Sequence, residues 1–272
     1  MLSLKRNSKG EFVPASGIRS RASSLYDPTS EKLFNISRSK FSDFLTCPRC
    51  FYLDRVRGLA SPSTPGWTLN ETTDLLLKKE FDECRETQTP HRSFQKAGLT
   101  NVIPFAHEEI DKWRDSLHAG LRYEIPGTNI SLSGGVDDIW QDIKSEQLIV
   151  VDYKSQANNN PVTPEDYLNG TYHQGYKIQM DFYAFLLTKM GFDVSPIAYF
   201  YVCNADRSAP GFGGKMYFEE TLVPYQWDSS WIEKRVFEML EILNSDKMPE
   251  SNLACENCAY SRQRAIMEKT SE

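Results

Sequence analysis

Three side chains near the middle of the chain are spaced for metal-assisted chemistry. Asp137 follows the pair Gly134-Gly135 inside a β-rich stretch, and Asp152 closes the apolar run Leu148-Ile149-Val150-Val151. Tyr153 and Lys154 come directly after it. Glycines within a strand leave room for a ligand or metal close to the backbone. Two carboxylates on adjacent strands joined by a short turn can face one side and share a divalent cation, and such oxygen donors suit Mg²⁺ or Mn²⁺. Strand alternation puts Asp152 and Lys154 on one face and Tyr153 on the other. A lysine beside a metal-bound water can position it, deprotonate it, or stabilise charge developing at phosphorus. Gln179 and Tyr183 are four residues apart and share one helix face. Each piece alone is ordinary: an Asp-x-Lys triplet is most often a surface ion pair, and a Gly-Gly beside an Asp is usually a turn.

A second group is made of cysteines. Cys47-x-x-Cys50 and Cys255-x-x-Cys258 form two pairs, while Cys84 and Cys203 sit in apolar contexts that suit packing. No apolar run follows the N-terminal charges, so no secretory leader is expected and the location is expected to be cytoplasmic. In a reducing compartment such pairs read as metal ligands before disulfides.

These residues need elements to hold them. The chain has 272 residues, 40% of them hydrophobic, which is enough for one large domain or two small ones with a real core. No stretch approaches the roughly 20 apolar residues of a spanning helix, so no membrane is expected. Net charge is -6, which is not the footprint of a protein that coats nucleic acid by charge alone. It leaves open an enzyme that meets phosphates through a metal.

Residues 1–33 read as a disordered basic tail or as a basic arm to nucleic acid. Ser37 is placed to cap a helix through Phe41, Phe44 and Leu45 to Cys47, and Asn70 to cap a second one carrying Leu77, Phe81 and Cys84. A third helix is expected around Ile110, Trp113 and Leu117. Residues 130–140 and 147–155 read as a hairpin, and 172–190 as a long helix. Strands at 195–203 and 215–223 follow, then a helix capped by Asp228 and carrying Trp231, Phe237, Leu240 and Leu243. This order predicts an α/β fold: a single domain over 34–262 with a mixed central sheet flanked by helices, the Cys-bearing ends packed together, and a tail at 263–272.

The order strand Gly-x-x-Asp, strand Asp-x-Lys, helix Gln-x-x-x-Tyr resembles the PD-(D/E)XK nuclease superfamily, in particular its RecB-like branch with the CRISPR-adaptation and AddB types. The stretch Ser37-Arg38-Ser39-Lys40-Phe41 through Cys47-Pro48 is similar to that branch's N-terminal cluster segment. Cys255, Cys258 and Tyr260 resemble its C-terminal one. The resemblance runs from about Ile36 to Tyr260. It implies a restriction-endonuclease-like core in which Asp137 and Asp152 bind the catalytic metal and the Tyr153 carbonyl is a further ligand. Lys154 would serve the attacking water, and Glu80, on the helix before the sheet, would join the metal shell. Gln179 and Tyr183 would line the groove.

The implied activity is metal-dependent hydrolysis of DNA, single-stranded or with single-stranded ends, in repair, recombination or processing. The chain carries no helicase motif, so ATP-driven unwinding would fall to a separate helicase. The branch divides its cluster cysteines one and three, whereas this chain divides them two and two. The resemblance therefore implies a [4Fe-4S] cluster on Cys47, Cys50, Cys255 and Cys258, while the spacing equally suits Zn²⁺. The competing readings are a catalytically silent nucleic-acid-binding or scaffold module of the same fold and a zinc-stabilised protein-interaction domain. Intact Asp137, Asp152 and Lys154 argue against both.

Overall fold

Leu148–Val151 are all buried, so this stretch belongs inside a sheet covered on both faces. A computed structural model, which describes residues 3–64 and 66–269, places it there. In chain order the elements are β1 (Phe34–Ser37), α1 (Arg38–Thr46), α2 (Pro48–Arg55), α3 (Thr68–Thr87), α4 (Arg92–Lys96), β2 (Val102–Pro104) and α5 (Ile110–Arg114). There follow β3 (Leu121–Glu124), β4 (Ile130–Gly134), β5 (Asp138–Asp142), β6 (Leu148–Gln156), α6 (Pro164–Asn169) and α7 (Gln174–Lys189). The chain continues through β7 (Ile197–Ala205), β8 (Phe218–Gln226), α8 (Ile232–Leu243) and α9 (Glu256–Lys269). They fall into two compact units, one formed by residues up to 66, 127–130 and from 233 onward, the other by 67–126 and 131–232.

The larger unit holds a five-stranded mixed sheet in the order β2-β5-β6-β7-β8. β5 and β6 are antiparallel, whereas β6 and β7 are parallel and are joined by a crossover through α6 and α7. One face of the sheet packs on α3: Leu77 and Phe81 meet Trp140, Val151, Tyr153 and Tyr201 in one cluster. α7 supplies the other cover. Its residues Gln179 to Leu187 are all buried, as befits a helix under a sheet rather than on a surface.

The smaller unit carries both cysteine pairs. Ser37 caps α1 by accepting from the Lys40 N–H at 3.4 Å, as its position before the apolar residues predicts. Part of the segment expected as a tail is packed instead. Tyr26 is buried, its O–H donates to Asn129 and Asn244 at 3.1 Å each, and Arg19 is ion-paired with Asp54. A lone buried carboxylate is costly, and Asp54 gathers Arg19, Lys40 and Arg55 around it.

Other boundaries differ from the sequence reading. The strand expected over 130–140 is broken at 135–137 between β4 and β5, and the helix around Ile110 ends at Arg114. α3 begins at Thr68, before the expected cap Asn70.

Candidate active site and metal centre

The break between β4 and β5 is what delivers Asp137. At Gly135 a Cβ would lie 2.5 Å from the Cβ of Ser116, so only glycine lets the two backbones approach this closely. The missing side chain at Gly135 is thus used to admit the loop at Ser116. Asp137 follows half-buried, and its Oδ2 accepts from the Tyr153 N–H at 2.8 Å. The strand then alternates, so Asp138 turns into the core. There it is ion-paired with Arg85 and accepts from the Tyr153 O–H at 2.8 Å. Asp138 thus fixes the α3 side of β6.

Asp152 lies on the opposite face of β6 and is fully buried. Its Oδ1 accepts from Gln179 Nε2 at 2.5 Å, and the same amide nitrogen lies 3.2 Å from the Tyr183 hydroxyl. Its Oδ2 is ion-paired with Lys154 yet receives no well-angled hydrogen bond. Burial pushes the Asp152 carboxyl up to about 7, with the Asp137 carboxylate adding to the rise against the pull of Lys154. Burial alone would lower the Lys154 ammonium, but Asp152 and Asp137 outweigh it and hold it above the usual lysine value. Lys154 Nζ also stands 4.7 Å from the ring centre of Tyr176 on α7 and 3.4 Å from the Tyr153 carbonyl oxygen. Two facing carboxylates, one of them deeply buried with an unsatisfied oxygen, fit a divalent cation.

The third acidic residue at this site is Asp74. It is on α3, is paired with Lys78 at 3.0 Å, and interacts electrostatically with Asp137 and Lys154. Burial and the Asp137 charge raise its pKa. Glu80 is not brought to this group. Its carboxylate accepts from His91 Nε2 at 3.1 Å and pairs with Arg92 at 3.1 Å. The reason is helix phase. At about 100° per residue, Asp74 shares the inward stripe of Leu77 and Phe81, whereas Glu80 points sideways. That stripe is visible in the sequence and could have identified Asp74.

In the smaller unit Cys47, Cys50, Cys255 and Cys258 converge, with all four sulfurs within 4.8 Å of one another. The sulfurs lie 3.8 Å apart for Cys47 and Cys258, 3.6 Å for Cys50 and Cys255 and 3.4 Å for Cys50 and Cys258. Each pair sits at a helix start: Cys47 caps α2, and Cys255 immediately precedes α9. Helix N-termini favour thiolate, the form that ligates metal. Burial raises the Cys47 thiol, but backbone N–H groups of Cys50 and Asn252 outweigh it and bring it down to about 7. The four residues fit a metal centre.

The sequence pattern of the PD-(D/E)XK nuclease superfamily matches residues 66–263, well over half of the chain. The chain belongs to this superfamily. Among solved structures it is similar to a protein from Eubacterium rectale provisionally named an exonuclease. Identity is 14%, coverage is 90% of this chain and 94% of that one, and the TM-score is 0.39. A comparison with curated proteins finds no match.

Proposed function

We propose that this nuclease is a divalent-metal-dependent deoxyribonuclease of the RecB-like branch, with 34–262 working as one enzyme. The observation that carries the reading is the placement of Asp137, in the break just before β5 and held by the Tyr153 N–H, beside Asp152 on β6, with Lys154 ion-paired to the buried member. Asp137, Asp152 and Asp74 would hold Mg²⁺ or Mn²⁺, with the Tyr153 carbonyl as a further oxygen donor. The cation supplies a nucleophilic water at neutral pH and neutralises phosphate charge. Gln179 fixes the Asp152 carboxylate through Oδ1, and Tyr183 supports Gln179. Lys154, held as an ammonium by its two carboxylates, donates to the reacting oxygens rather than taking a proton from them.

The rings of His173 and Tyr176 stack at 5.5 Å beside Lys154, and Tyr172 is 93% exposed nearby in the chain. Unpaired bases stack on such rings, which favours DNA that is single-stranded or has single-stranded ends. A separate helicase would supply any unwinding, and the reading places the activity in repair, recombination or processing. Among the described residues no helix is long and apolar enough to cross a membrane. A cytoplasmic location belongs to the same reading.

For the four cysteines we propose one Zn²⁺. A Zn–S bond of about 2.3 Å places tetrahedral sulfurs about 3.8 Å apart, and here three of the separations are 3.4–3.8 Å and all lie within 4.8 Å. In the expected [4Fe-4S] centre, four irons and four sulfides lie between the thiolates and hold them farther apart. The sulfur separations therefore support zinc as the metal we propose over the [4Fe-4S] alternative.

Two cleavage experiments test the catalytic assignments. Lys154→Ala should leave Mg²⁺ affinity within a few fold and slow single-turnover cleavage by about 10²–10⁴-fold. Lys154→Arg should restore only part of the rate, because a planar guanidinium presents its donors differently. Calorimetric Mg²⁺ titration beside the rates decides this, and a loss confined to metal affinity would remove the role given to Lys154. In parallel, Asp74→Ala should slow cleavage by about 10²-fold or more through lost metal binding, whereas Glu80→Ala should stay within a few fold of wild type. The reverse ranking would restore Glu80 as the upstream acid.

A further inference from the structure

The segment that links β6 to α7 carries a buried group with no structural use. Tyr167 on α6 is only 3% exposed, and its hydroxyl is sealed from solvent without a hydrogen-bond partner among the described residues. A buried unpaired hydroxyl is costly and calls for an explanation. Its position is firmly set. Thr163 caps α6 by accepting from the Asp166 N–H at 3.2 Å, and Pro164 opens the helix. His173 Nδ1 donates to the Tyr167 carbonyl at 2.7 Å, and the two rings stack at 4.1 Å. His173 in turn stacks on Tyr176, whose ring lies against Lys154. Tyr167 therefore stands at the far end of a ring ladder that begins at Lys154.

The phenol interacts electrostatically with Asp152 and Tyr176. It does not pair with Asp152, because Gln179 takes Oδ1 and Lys154 faces Oδ2. Tyr201 and Trp140 also have unpaired polar atoms, but they belong to the core cluster under α3, on the other face of the sheet. Tyr167 combines an unpaired donor with a place on the Asp152 side, where its ring packs on Phe200, the β7 residue in register with Asp152. A donor of this kind, next to a site for a phosphodiester, is completed by an anionic oxygen.

We propose that Tyr167 is a catalytic residue, its hydroxyl donating to a non-bridging oxygen of the scissile phosphate. The inference rests on the nuclease reading of the Asp137–Asp152–Lys154 site. It adds a donor from the β6–α7 connection to the charge stabilisation supplied by Lys154.

Tyr167→Phe removes the oxygen and keeps the ring and its stack on His173. With a 5′-labelled single-stranded DNA oligonucleotide and saturating Mg²⁺, the single-turnover rate of this variant should fall about 10–100-fold. Substrate affinity measured in Ca²⁺ should stay within about 2-fold, and thermal stability should be unchanged or higher, since a buried unpaired hydroxyl is gone. Sulfur in place of a non-bridging oxygen at the scissile position should slow Tyr167→Phe less than wild type, because the contact it disturbs is already lost. A merely structural tyrosine would not produce that difference. Wild-type cleavage by Tyr167→Phe, or a rate loss matched by a lower melting temperature, would overturn the proposal alone. A wild-type protein that leaves the strand intact, or an Asp152→Ala variant that still cuts, would instead overturn the nuclease reading and this proposal with it.

Discussion

Asp152→Ala should reduce DNA cleavage by more than about 10³-fold while the protein stays folded. The size follows from what the carboxylate does. A divalent cation supplies several kcal/mol of transition-state stabilisation, and about 4 kcal/mol is a factor of 10³ in rate. The ammonium of Lys154 beside it cannot ligate a cation, and Gln179 could offer at most a neutral amide oxygen in place of the lost charge. Asp137→Ala should behave alike.

The stability of the same variants carries a second signal. In the folded protein Asp152 titrates near 7, above the 3.8 of an unstructured chain. Between those values the folded state keeps a proton that the unfolded state has released. In Mg²⁺-free buffer this group therefore makes the protein less stable as pH rises from about 4 to about 7, with the loss complete above that. Asp152→Asn, which cannot ionise, should flatten that slope, melt higher than wild type at pH 8 without divalent cation, and gain nothing when Mg²⁺ is added. A thermal melt series across pH, with and without Mg²⁺, reads all three. A variant that melted lower than wild type at pH 8 would show that Asp152 is built to pair rather than to await a cation.

Cys47→Ser or Cys258→Ser should remove the bound metal and lower the melting temperature of the smaller unit by more than about 10 °C. Structural zinc sites contribute apparent binding free energies of about 10–16 kcal/mol, and each kcal/mol moves the melting temperature of a protein this size by about 2–4 °C. Cys50 and Cys255 are far apart in the chain, yet loop-closure entropy grows only slowly with length, so one ion can tie them. Cys84→Ser and Cys203→Ser should leave metal content at wild-type level. The wild type should be colourless with one zinc per chain by elemental analysis. A brown protein carrying four irons would reinstate the cluster, and a metal-free wild type would end the idea of a shared site.

The site residues that could be read from the sequence are those whose relation is local. Asp152 and Lys154 share a face by strand alternation alone, and Gln179 and Tyr183 share one by helix spacing. The hairpin between Asp137 and Asp152 needed only a short turn, and two C-x-x-C pairs pointed to the four cysteines that converge. What escaped depended on tertiary placement. Choosing Asp74 over Glu80 needed the phase of α3, which Leu77 and Phe81 set by facing the sheet. Asp138 could not be separated from Asp137 until the break at Gly135 fixed which of the two turned outward. Residues 18–26 lacked any periodic signal because their order comes from single anchors, Tyr26 and Arg19, rather than from an amphipathic face. The metal at the cysteines stayed open because C-x-x-C spacing is common to zinc and iron–sulfur sites.

The most direct measurement is single-turnover cleavage of a 5′-labelled single-stranded DNA by purified protein, with and without Mg²⁺, for wild type beside Asp152→Asn. The wild type should cut only when the divalent cation is present, and Asp152→Asn should leave the strand intact under both conditions. A wild type that cuts no DNA in Mg²⁺ or Mn²⁺, or an Asp152→Asn variant that cuts at the wild-type rate, would contradict the assignment of this site.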